Sequence, residues 1–148
     1  RDLAGLRAAI EAAGDLPNQG IHLKVVQEAE EVREVLEEQE RVRKLINNAL
    51  KNRDVNALRA AVTAAEDIGL PGTELEEARA LIREIEEEKR VLETIKEAIE
   101  ARSLDMINDA LDRAATLGIE TTKEIKQAKV LKERLEEEGR VMAALNDA

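Results

Sequence analysis

Apolar positions recur along this chain at spacings of three and four. Between Asp54 and Ile68 the residues Val55, Leu58, Ala61, Val62 and Ala65 fall on one face of a helix. Asp54 stands where an N-cap belongs, and Ser103 takes the same place further on; both side chains can accept hydrogen bonds from the orphan amides of a first helical turn. Gly69 and Gly118 stand where a helix C-terminus wants a residue tolerant of positive φ, and Pro71 follows at the usual distance. The spacing therefore predicts short helices over 54–68 and 103–117. A second helix opens at Thr73 or at Thr122, each a competent N-cap, and no Gly or Pro interrupts the stretch from Thr73 to Arg102. That predicts a long helix of about 29 residues, roughly 44 Å at 1.5 Å per residue.

The short-then-long pattern repeats. Arg53-Asp54-Val55-Asn56-Ala57-Leu58 lies over Arg1-Asp2-Leu3-Ala4-Gly5-Leu6 without a gap, and Arg102-Ser103 opens a third copy. Gly20-Ile21, Gly69-Leu70 and Gly118-Ile119 mark the same point in each. Ala29, Leu36, Arg41, Val42 and Ile46 match Ala78, Ile85, Arg90, Val91 and Ile95, and then Ala128, Leu135, Arg140, Val141 and Leu145. The expected units are residues 1–52, 53–101 and 102–148, with length differences confined to the Gly-containing connections, where insertions are tolerated. The chain opens on Arg1-Asp2 and stops just inside a fourth unit, which reads as a piece of a longer array with no polar cap at either end.

Each long stretch has an apolar gap at its middle, from Leu36 to Val42, Ile85 to Val91 and Leu135 to Val141. Two successive short helices, folding back from opposite ends, would meet beside that gap. Each cross-section then holds three helices: the second half of one long helix, a short helix and the first half of the next. Residues 41–52, 54–68 and 73–87 make one such bundle, and 90–102, 103–117 and 122–138 the next. The first unit lacks its leading helix, and the tail from Arg140 lacks partners. The expected fold is all-α, an elongated tandem repeat of alternating short and long helices. Its layout resembles spectrin-like repeats, whose three-helix bundles share continuous helices. The resemblance is one of topology: these units are about half as long, and the tryptophan typical of the first helix has no counterpart. A superhelical solenoid of helix pairs is the competing layout, and unequal helix lengths count against it.

Composition narrows the chemistry. Of 148 residues 43% are apolar and 38% charged, while Phe, Trp, Tyr and Cys are absent. There is no thiolate nucleophile, no disulfide and no aromatic platform for stacking bases. The net charge of -10, with basic residues interleaved among acids, argues against binding nucleic acid. No apolar run is long enough to span a membrane.

The nearest thing to a carboxylate site is Glu86-Glu87-Glu88 with its counterparts Glu136-Glu137-Glu138 and Glu37-Glu38. Consecutive helical residues fan out by about 100° each, so such a run cannot converge on one ion. The simpler reading is a solvated waist supported by i,i+4 pairs from Glu37 to Arg41, Glu86 to Arg90 and Glu136 to Arg140. His22, the sole histidine, is expected as an exposed loop residue, and Met106 and Met142 as core fillers. Gly139 inside the third long helix marks a potential bend. No catalytic, cofactor-binding or metal-binding residue is expected, and no cofactor or small-molecule substrate. Repetition without convergent chemistry suggests a non-enzymatic spacer or scaffold module of a filament or large assembly, advancing about 22 Å per unit. Its partners would be proteins or neighbouring repeats, and its place cytoplasmic, with the cytoskeleton. The alternative is an adaptor whose groove receives an amphipathic helix.

Overall fold

The structure is a computed structural model that describes residues 2–14 and 20–147, the side chains of 20–23 excepted. Six helices make up the regular structure of the described residues: α1 (Leu3–Gly14), α2 (Gly20–Asn52), α3 (Val55–Asp67), α4 (Gly72–Ala101), α5 (Leu104–Thr116) and α6 (Lys123–Asn146). The fold is all-α. Short helices of 12, 13 and 13 residues alternate with long ones of 33, 30 and 24.

The helix boundaries follow from side-chain and backbone capping. The Asp54 carboxylate accepts from the amides of Asn56 and Ala57 at 2.9 and 3.1 Å, and the Ser103 hydroxyl accepts from Met106 N–H at 3.4 Å. Thr122 caps α6 in the same way, through Ile125 N–H. α4 differs: it begins at Gly72, one residue before Thr73, and Glu74 N–H donates to the Pro71 carbonyl at 3.0 Å. Gly69 and Gly118 have φ of 69° and 71°, as the C-terminal positions of α3 and α5 demand.

The long helices end by the same geometry on a different residue. Arg53 and Arg102 have φ of 49° and 48°. Arg53 N–H donates to Leu50 and Asp54 N–H to Ala49; Arg102 and Ser103 repeat this with Ile99 and Ala98. These are paired Schellman bonds that satisfy the last free carbonyls of α2 and α4. Nothing in the sequence announces them, because arginine is not a left-handed residue by preference.

The chain divides into two compact units, Arg1–Ile82 and Arg83–Ala148. In the first, the buried cluster combines Val42, Ile46 and Ala49 of α2, Leu58, Ala61, Val62 and Ala65 of α3, Leu70 of the following turn, and Leu75 and Ala78 of α4. In the second it combines Val91, Ile95 and Ala98 of α4, Ile107, Ala110 and Ala114 of α5, and Ile125 and Ala128 of α6. Each large side chain fully withdrawn from water in this way contributes about 1.5–3 kcal/mol. Alanines at the close approaches let neighbouring backbones come together without aromatic bulk. No polar or charged residue among those described is buried.

Three expectations need correction or restriction. Met106 and Met142 are not core fillers; they are 41% and 59% exposed, since the inward stripe of α5 runs through Ile107, Ala110 and Ala114. His22 is not in a loop, because α2 already begins at Gly20; its side chain, like the connection 15–19, lies outside the described residues. α6 continues as helix through Gly139 to Asn146.

Candidate functional site

The glutamate runs form no convergent site. In each copy the arginine after the run pairs with the carboxylate three residues before it: Arg41 with Glu38 at 2.5 Å, Arg90 with Glu87 at 3.3 Å and Arg140 with Glu137 at 2.6 Å. These three pairs are i,i+3, beside the i,i+4 spacing expected of Glu37–Arg41, Glu86–Arg90 and Glu136–Arg140; helical geometry leaves both open because both neighbours lie on the same face. Glu37 instead receives Arg7 of α1 at 3.0 Å, with Arg33 at 3.8 Å. The Arg41 hydrogen bond holds the Glu38 carboxyl below its ordinary range and raises the guanidinium in return. Such a carboxylate stays ionised at neutral pH and has no proton to donate as a general acid.

Ion pairs between helices tie the bundle edges. Arg43 of α2 donates to Glu74 of α4, Arg79 of α4 to Glu66 of α3, and Arg102 to Glu138 of α6. In the second unit Glu93 raises the Lys96 ammonium through a hydrogen bond, with Glu124 and Glu100 adding to the attraction. Among the described residues, no group of three or more His, Asp or Glu could hold a metal ion, and no helix is long and apolar enough to cross a membrane.

Two surface troughs among the described residues are lined largely by apolar atoms. One, of about 360 Å³, lies between α2 and α3 in the first unit and is bordered by Leu45, Ala49, Ala57 and Asn48. The other, of about 470 Å³, lies between α4 and α6 in the second unit and is lined by Ile99, Val130 and Leu131 together with Lys126 and Arg134. Both are open to solvent and neither contains a nucleophile paired with a base. Sequence reasoning did not find the second trough, although Val130 in place of Ala80 and Arg134 in place of Glu84 are visible when the copies are laid over one another.

Comparison with known proteins returned no matching family model, no matching curated protein and no matching solved structure.

Proposed function

We propose that this chain is a non-enzymatic spacer or scaffold module in which spectrin-like three-helix bundles share their long helices. The observation that carries the reading is the division of labour along α4, which supplies Leu75 and Ala78 to one buried cluster and Val91, Ile95 and Ala98 to the other. A helix that belongs to two cores couples their stabilities, as in other repeat arrays. Mechanical continuity is then a property of the backbone and needs no interface of its own. Such a module suits a filament or large assembly, where a defined separation between attached partners is the product.

Replacing Glu87 by proline tests this. Proline in a helix interior removes a backbone hydrogen bond and costs about 3 kcal/mol or more. The intact chain should melt in a single transition, and Glu87→Pro should separate it into two or broaden it markedly. Melting as cooperative as before would overturn the shared-helix reading.

The trough lined by Ile99, Val130 and Leu131 favours a second reading, an adaptor that seats an amphipathic helix with acids facing Lys126 and Arg134. Reversing both charges would abolish capture of such a peptide.

A further inference from the structure

The long helices repeat one another, and one stripe of α6 departs from the pattern in three residues together. Lys126, Val130 and Arg134 stand four residues apart on one helical face, in place of Glu76, Ala80 and Glu84 of α4 and of Gln27, Glu31 and Val35 of α2. The inward residues of the same stretch are kept, since Ile125 and Ala128 are buried like Leu75 and Ala78. The change is therefore confined to the outward surface, where the core makes no demand. Val130, 67% exposed, is the most exposed large apolar residue among those described.

The sign of the charge changes with it. Over residues 123–134 Lys123, Lys126, Lys129, Lys132 and Arg134 outweigh Glu124 and Glu133, whereas over the equivalent residues 73–84 Glu74, Glu76, Glu77 and Glu84 outweigh Arg79 and Arg83. In a chain of net charge -10 this is a local reversal. Lys132 pairs with Glu136 at 3.9 Å, but neither Lys126 nor Arg134 pairs with another described residue. Both instead line the trough of about 470 Å³ between α4 and α6, together with Ile99, Val130 and Leu131. Ile99 and Leu131 keep the apolar character of their counterparts Leu50 and Leu81, so the apolar frame is common to the copies and the cations are particular to this one.

We propose that this trough docks an acidic amphipathic helix of a partner protein, whose apolar side chains seat against Ile99, Val130 and Leu131 and whose carboxylates meet Lys126 and Arg134. The proposal rests on the adaptor reading of the trough and adds the chemistry and spacing of its occupant. Lys126 and Arg134 are eight residues apart on α6, about 12 Å along its axis, so a helix lying alongside presents matched acids two turns apart with apolar residues between them. Cations without internal partners beside exposed apolar surface favour an acidic partner and reject a basic one. A trough between two helices admits a third helix, whereas a bilayer surface cannot follow it inward. Glu76 and Glu84 would repel the same partner, so α6 carries the site and α4 does not.

Fluorescence anisotropy of a labelled helical peptide mixed with the full chain tests this. The peptide carries Leu at i, i+3 and i+4, flanked by Glu one turn away on either side; a second version has Gln for Glu and a third has Lys. The Glu version should bind, the Gln version about tenfold more weakly and the Lys version more weakly still, with added salt narrowing the difference. Lys126→Glu/Arg134→Glu should invert that order, and Val130→Ala should weaken every version about fivefold by removing apolar contact. These substitutions install residues that α4 already carries at the equivalent positions, so far-ultraviolet helicity should be unchanged. Equal binding of the Glu and Gln versions would overturn the acidic occupant and leave the adaptor reading standing. No binding of any version would overturn both, while the proline test of the shared helix is independent of either. Binding of the Glu version undiminished in the double variant would put the site elsewhere, and binding to phosphatidylserine vesicles but to no peptide would mean a lipid surface; each overturns the proposal.

Discussion

Arg43 of α2 holds Glu74 of α4 with two hydrogen bonds, Nε to Oε2 at 2.6 Å and Nη2 to Oε1 at 3.0 Å, across 31 residues of sequence. The fork of the guanidinium matches the carboxylate in geometry as well as charge. It closes the edge of the first buried cluster at the point where α4 begins, next to Leu75. The bond holds the Glu74 carboxyl below the ordinary value of 4.5 and raises Arg43.

The sign of the pH effect follows from linkage. A carboxyl whose pKa is lowered in the folded chain contributes stability above its unfolded value, and that contribution is lost as pH falls through the folded value. Glu74→Gln should therefore lower stability at neutral pH slightly and flatten the acid limb of the stability profile below about 4.5. Urea unfolding at a series of pH values measures it; an acid limb identical to that of the parent chain would show that the pair does not form.

Equivalent leucines in the first two units should differ in cost. Leu58 is fully buried, so Leu58→Ala should cost about 2–5 kcal/mol by transfer and cavity effects. Leu6 keeps part of its surface in water, and Leu6→Ala should cost less than half as much. Chemical denaturation of the two variants in dilute solution compares them directly.

The same substitution should act with opposite sign at two glycines. Gly69 has φ of 69° and no atom within 4 Å of an added Cβ, so Gly69→Ala is penalised by backbone conformation alone, by about 1 kcal/mol or more. Gly139 is helical and equally uncrowded, so Gly139→Ala should stabilise by about 0.5–1 kcal/mol. Melting temperatures moving in opposite directions would bear this out.

Removing the Asp54 cap should cost about 1 kcal/mol in Asp54→Ala, because the amides of Asn56 and Ala57 lose their acceptor. Asp54→Ser should recover most of it, since Ser103 does the same work at the start of α5. The pair of variants separates the hydrogen bond from the general effect of a changed charge.

Much of the helix layout was legible in the chain because its determinants are local. Asp54, Ser103 and Thr122 cap through amides two or three residues away, and Gly69 and Gly118 answer a backbone requirement at their own positions. The left-handed turns at Arg53 and Arg102 were not legible, because there the geometry is imposed by helices on either side and not by the residue's preference. The ion-pair partners were half legible: Arg41, Arg90 and Arg140 were expected to pair backwards along their helices, and they do so with Glu38, Glu87 and Glu137, one residue from the spacing expected. The methionines were misread since an apolar residue beside the inward stripe looks the same in sequence as one on it. The troughs need two helices brought together, and no single stretch of sequence contains them.

By itself, then, the sequence determined that this is an α-helical chain of alternating short and long helices, the caps at which α3, α5 and α6 begin, and which apolar positions recur from copy to copy. Only the tertiary structure decided which of those equivalent positions leave water. Val42, Val91 and Val141 occupy one repeat position, yet the first two are buried and the third is exposed. The reason is that capping and periodicity are settled within a few residues, whereas burial depends on a covering surface supplied by another helix.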